Sequence, residues 1–145
     1  MGISSTIALL KSCNGNYLQE TASRPPKPGA NKLMPAPKLK RYGQIIGLKP
    51  KAYDKYVKYH AKVWPGVLKT IHACNIRNYS IFFKDNTLFA FFEYIGDDFE
   101  ADMAKMAADP TTQEWWAIMM PMQQPIPTRA EREWWANMKE VFHVD

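Results

Sequence analysis

Tyr56, His60 and Trp64 stand at i, i+4 and i+8, a spacing that puts all three on one face of a helix. Histidine is the side chain whose ordinary pKa lets it give and take a proton near neutral pH. A tyrosine one turn before it can hold a substrate hydroxyl, and a tryptophan one turn after it offers a flat apolar wall. That is the make-up of a polyol site. The competing reading is a histidine half-buried between helix and sheet. Trp115-Trp116 is the second candidate. Neighbouring helix positions point about 100° apart, so one ring packs inside while the other lines a cleft or a dimer seam. Sugar rings stack their C–H faces on such aromatics. Trp134-Trp135 repeats the pair but reads as packing for a Pro-rich loop, and His72 and His143 stand alone. No nucleophile–His–acid set, Gly-rich phosphate loop or metal-ligand spacing occurs. No metal or cofactor is therefore expected.

The elements that must position these residues follow from periodicity. Tyr42 to Leu48 is short, apolar and partly β-branched, which predicts a first strand. From Lys51 to Cys74 apolar residues recur at steps of three and four, predicting an amphipathic helix that Pro65 kinks or divides. Arg77 to Lys84 and Thr87 to Tyr94 flank Asp85-Asn86 and predict a β-hairpin. A second helix is expected from Asp98 to Ala108. After Asp109-Pro110 comes a short helix carrying Trp115, Trp116 and Met119, capped by Thr111 or Thr112. Residues 120–130 form a Pro-rich loop, and Met138 to Val144 is expected to close the fold as a last strand. The order is β-α-β-β-α-β, an α+β, ferredoxin-like domain. Helices on one face leave the other face bare, with aromatics on both faces of the hairpin, such as Phe82/Phe83 and Phe91/Phe92. Bare aromatics are costly in water, so two sheets are expected to pack face to face as a homodimeric α/β barrel.

The charge is unevenly spread. Residues 1–41 hold seven basic groups against one acid, Glu20, while the rest holds 12 basic and 13 acidic groups, together giving the net +5. The basic character thus belongs to a leader, residues 1–40, and the domain at 41–145 offers no nucleic-acid surface. The stretch Thr21 to Lys38 is Pro-rich and without apolar periodicity, and is expected to be disordered. Three readings of the leader stand: an extension without function, acylation at Gly2 or Cys13, or an organellar targeting segment. Membrane contact is expected only if the leader is acylated, since no apolar run approaches a membrane span. The expected location is cytoplasmic. Cys13 and Cys74 cannot make a disulfide scaffold.

Five segments in order carry a further signal: Tyr56-x3-His60-x3-Trp64-Pro65, Asn78-Tyr79-Ser80-Ile81-Phe82, Leu88-Phe89-Ala90 leading to Glu93, Gln113-x-Trp115-Trp116, and Glu140-Val141-Phe142. With these, the chain from Arg41 onward resembles the L-rhamnose mutarotase family. The resemblance implies a dimeric α/β barrel that interconverts the α and β anomers of L-rhamnose, or of a related 6-deoxy sugar. It implies His60 as the proton donor, with Tyr56, Tyr79, Trp115 and Trp116 binding the sugar. The catalytic base stays open among a tyrosine, a held water and a carboxylate such as Glu93. Two departures from the family pattern stand out, and the second, in a loop expected to border the site, bears on sugar preference. Ala61-Lys62 stand where the family commonly has Asn-Pro, and the loop at 120–130 lacks the family's Asp and Asn. Other functions on this architecture are a cofactor-free monooxygenase and a non-catalytic sugar-binding dimer.

Overall fold

The structure, a computed structural model, describes residues 39–144. Nearly all of the leader, with Gly2 and Cys13, lies outside the described residues. Strand β1 spans Lys40–Leu48. After a 3₁₀ turn at Pro50–Ala52 come helices α1, Tyr53–His60, and α2, Pro65–Ala73. The hairpin follows as β2, Ile76–Lys84, and β3, Thr87–Tyr94. Helices α3, Phe99–Ala108, and α4, Pro110–Met119, lead to a second 3₁₀ turn at Met120–Met122. The short strands β4, Gln123–Gln124, and β5, Ala136–Met138, complete the order.

The sheet runs β2-β3-β1-β4, with β5 also on β1, and every pairing is antiparallel. The expected β-α-β-β-α-β order holds, with each expected helix region divided in two. Pro65 does not kink a continuous helix. It opens α2 at the first helical position, where its missing N–H costs nothing, and it holds Trp64 extended at ψ 134°. The hairpin turn has Asp85 and Asn86 both left-handed, at φ 49° and 56°, the two-residue geometry that matches strand twist.

Two expectations are corrected. Neither Thr111 nor Thr112 caps α4. Asp109 does, accepting from the Thr112 amide at 2.8 Å and the Thr112 hydroxyl at 2.7 Å. A carboxylate accepts more bonds than a hydroxyl can, and those bonds hold the Asp109 carboxyl below its usual pKa. Nor does Met138 to Val144 form the last strand. The ladder on β1 ends at Gly43↔Met138, Glu140 meets Arg41 by side chain at 2.8 Å, and residues 139–144 carry no strand pairing. The edge of β1 is shared between β4 and β5, and both approach closely. A Cβ on Gly47 would stand 2.7 Å from the Gln124 carbonyl oxygen, so only glycine fits there.

Strand alternation sorts the faces. Ile46, Leu48, Leu88, Ala90, Phe92 and Tyr94 are buried beneath the helices. They join Tyr56, Val67, Trp115, Met119 and Met106 in the core. The other face carries Phe82, Phe89 and Phe91, with Phe82 63% exposed.

Candidate active site

Helix α1 needs its apolar stripe against the sheet, and that stripe carries Tyr56 inward, with His60 one turn later at the helix end. The two rings stack at 4.1 Å and 25°. The half-buried His60 ring has its Nδ1 2.9 Å from the Tyr56 carbonyl oxygen. A carbonyl only accepts, so Nδ1 carries a proton, and the neutral ring keeps its lone pair on Nε2 at the opposite edge. Burial penalises the imidazolium and lowers the His60 pKa; the bond to the Tyr56 carbonyl offsets part of that shift. His60 is therefore neutral near pH 7.

Helix α4 supplies the wall. Trp115 is buried and stands edge-on to three rings: Tyr59 at 5.9 Å, His60 at 5.4 Å and Trp64 at 5.4 Å. Trp116 is half-buried beside it. The two rings were expected to part, one to the core and one to a cleft. Both line the same cavity.

That cavity lies between the helices and the sheet. Its wide part measures about 660 Å³, and it adjoins a narrow chamber of about 60 Å³. Tyr56, His60, Tyr79, Trp115 and Trp116 line both parts, so the structure brings every expected site residue together. Tyr79 reaches it from β2, its ring edge-on to Phe92 at 5.6 Å. The residue as a whole is partly exposed, yet burial of its hydroxyl pushes the Tyr79 pKa up to about 12. Tyr56 is shifted upward too, by burial first and by the nearby Tyr79 second, with the Gln123 side chain partly offsetting both. Both phenols thus hold their protons at neutral pH and can donate as well as accept hydrogen bonds.

Glu93 is not part of this site. It lies on the opposite face of β3 from Phe92 and Tyr94, where its carboxylate accepts from the Asn78 side chain. Among the described residues, no Asp or Glu lines either part of the cavity. Nor do any three His, Cys, Asp or Glu side chains there gather as metal ligands.

Sequence reasoning missed part of the wall. Trp134 and Trp135, read as loop packing, line the narrow chamber with Gln123, and the Trp134 indole N–H donates to the Gln123 side-chain oxygen at 2.7 Å. Their signal was the repeated tandem Trp itself. Gln44, on the inward face of β1, adds a polar group to the wide part and donates to Asn137 at 2.9 Å. No helix among the described residues is long and apolar enough to cross a membrane.

The profile of the family described as L-rhamnose mutarotase matches residues 41–144. The L-rhamnose mutarotase of Ligilactobacillus salivarius is 34% identical over 110 residues, covering 72% of this chain and 97% of that protein. That of Phocaeicola vulgatus is 33% identical, covering 74% of this chain and all of its own length. The crystal structure of an L-rhamnose mutarotase from Formosa agariphila aligns with a TM-score of 0.58 at 25% identity, over 73% of this chain and 99% of the other.

Proposed function

The chain belongs to the L-rhamnose mutarotase family of carbohydrate-acting isomerases, and from that premise we propose that it interconverts the α and β anomers of L-rhamnose or a close 6-deoxy relative. The observation that carries this reading is the cavity where a neutral His60, two protonated tyrosines and two tryptophans meet.

Anomer exchange needs the anomeric hydroxyl to lose a proton and the ring oxygen to gain one as the C1–O5 bond breaks. The open aldehyde turns about C1–C2 and recloses. His60 is the proton donor to the ring oxygen, but its resting state is neutral, so it must first collect the proton it gives. Tyr56 and Tyr79 hold their own protons, Glu93 faces away, and no carboxylate among the described residues lines the cavity. The lone pair on Nε2 of His60 is therefore the base that takes the proton from the anomeric hydroxyl. The same nitrogen delivers it to the ring oxygen. One group acting as acid and base supplies about 10²–10⁴-fold acceleration. Tyr56 and Tyr79 hold sugar hydroxyls, and Trp115 and Trp116 take the ring face and the C6 methyl. Saturation-transfer NMR of L-rhamnose, L-fucose and D-glucose tests the reading. Acceleration confined to 6-deoxy or manno-configured sugars is the expected result; none for any sugar overturns it.

The protomer is proposed to work in the cytoplasm as a homodimer through its bare sheet face. Phe82, Phe89, Phe91 and Met138 are exposed there, a patch costly to leave in water. Light scattering should give twice the 16.7 kDa chain mass. Introducing Phe82→Asp and Phe89→Asp together should give the monomer. A wild-type monomer at micromolar concentration rejects the dimer.

A further inference from the structure

Strand β2 is irregular where it matters. Arg77 pairs with Glu93 and Ser80 with Phe91, so β2 advances three residues while β3 advances two. The extra residue is a β-bulge, and Asn78 at its head is left-handed, at φ 49°. Glycine usually takes such a position; asparagine is the residue that tolerates it next best.

The bulge inverts the pleat. Arg77 shares a face with Glu93, away from the helices. In an unbroken ladder Asn78 would point inward and Tyr79 outward, against Phe91. With the extra residue, Ser80 takes the outward place and Tyr79 shares the inward face with Phe92. Ile81 and Phe83 then also face the cavity, and Phe82 the exposed side. A slip of one residue would reverse every one of these positions. The Asn78 side chain donates to the Glu93 carboxylate across the ladder, tying the bulged residue to the outer face.

We infer that Asn78, locked to Glu93, is a positioning residue whose left-handed backbone turns Tyr79 into the sugar-binding cavity. This rests on the proposed sugar reading, in which Tyr79 holds a substrate hydroxyl. Glu93 then adds to the site only from behind, through the bond it accepts from Asn78.

The test is a double-mutant cycle with a structural readout beside it. Tyr79→Ala should raise KM for anomer exchange tenfold or more, with kcat within about threefold, the mark of lost binding. Asn78→Val, whose branched side chain resists the left-handed region, should reproduce that split. The double variant should be no worse than either single, since each removes the same contact. Asn78→Gly, free to adopt the bulge, should recover most of the loss, which a purely stabilising side chain would not allow. Nuclear Overhauser contacts between the Tyr79 and Phe92 rings should persist in Asn78→Gly and vanish in Asn78→Val. Should the valine variant not fold, Asn78→Ala carries the same cycle with a smaller shift. Contacts or KM unchanged in the Val or Ala variant, or losses that multiply in the double, overturn the positioning role. An unchanged KM in Tyr79→Ala breaks the sugar-binding role of Tyr79 instead, and the ring contacts still decide the positioning.

Discussion

Replacing His60 with Gln is expected to lower kcat for anomer exchange by about 10²-fold or more, with KM little changed. Glutamine keeps an N–H that can reach the Tyr56 carbonyl, so the end of α1 stays satisfied, but it cannot take and return a proton. Turnover within threefold of wild type, from a folded protein, would remove His60 from the reaction. The pH profile gives a second readout from the same residue. On the proposed mechanism the working form is the neutral ring, and burial lowers its pKa below the ordinary 6.5. The rate above the uncatalysed background should therefore be flat from about neutral pH upward. It should fall only as acid drives the pH through the lowered value. Stability moves with the same sign. Between the lowered pKa and 6.5 the unfolded chain binds more protons than the folded one, so stability falls as pH drops through that window and is level above it. A His60→Gln protein should lose both slopes.

Trp115→Ala is expected to cost about 3–5 kcal/mol of stability, a large part of the roughly 5–15 kcal/mol that holds a domain together. The ring is buried, and the rings of Tyr59, His60 and Trp64 all lean on its faces or edges. Its removal leaves a void where α1, α2 and α4 meet, and His60 loses the surface that fixes its tilt. A denaturant titration should show a lower midpoint with an unchanged slope. Activity should drop under conditions where the protein is still folded. Trp116→Ala, at a half-buried position, should cost clearly less. Equal costs for the two tryptophans would mean that Trp115 is not the common support of the three helices.

The parts of this site that were legible in the sequence are those governed by local rules. The hairpin could be read because Asp85-Asn86 both tolerate left-handed backbone between two apolar runs, and turn chemistry alone decides such a pairing. The helix bearing Tyr56 and His60 could be read because its stripe repeats at steps of three and four. The rest depended on partners distant in the chain. Residues 138–144 have the composition of a strand, but β5 meets β1 through Ala136 to Met138 opposite Gly43 to Ile45, and only Lys40 to Tyr42 of β1 lie beyond, so the later part of residues 139–144 runs past the start of that strand. The bulge at Asn78 leaves no mark on composition, because one extra residue changes pairing without changing which residues are apolar. Asn78 inside an apolar run was the trace it did leave. Trp134 and Trp135 were misjudged because their roles depend on where Gln123 returns to β1, eleven residues before Trp134.

The strand at the centre of the sheet is also the first made of the described strands. Gln44 on β1 bonds Asn137 on β5 across 93 residues of chain, an interval of roughly five to twenty seconds at ordinary rates of protein synthesis. Through that time β1 and the hairpin can pair, but the far edge of β1 stands open beside a bare aromatic face. An open strand edge is a template on which a second chain can pair edge to edge. The tandem tryptophans that finish the cavity wall arrive only with the segment that seals that edge. The cavity wall is therefore completed and that edge of β1 closed in the same late step, and a nascent chain stalled before that segment has neither.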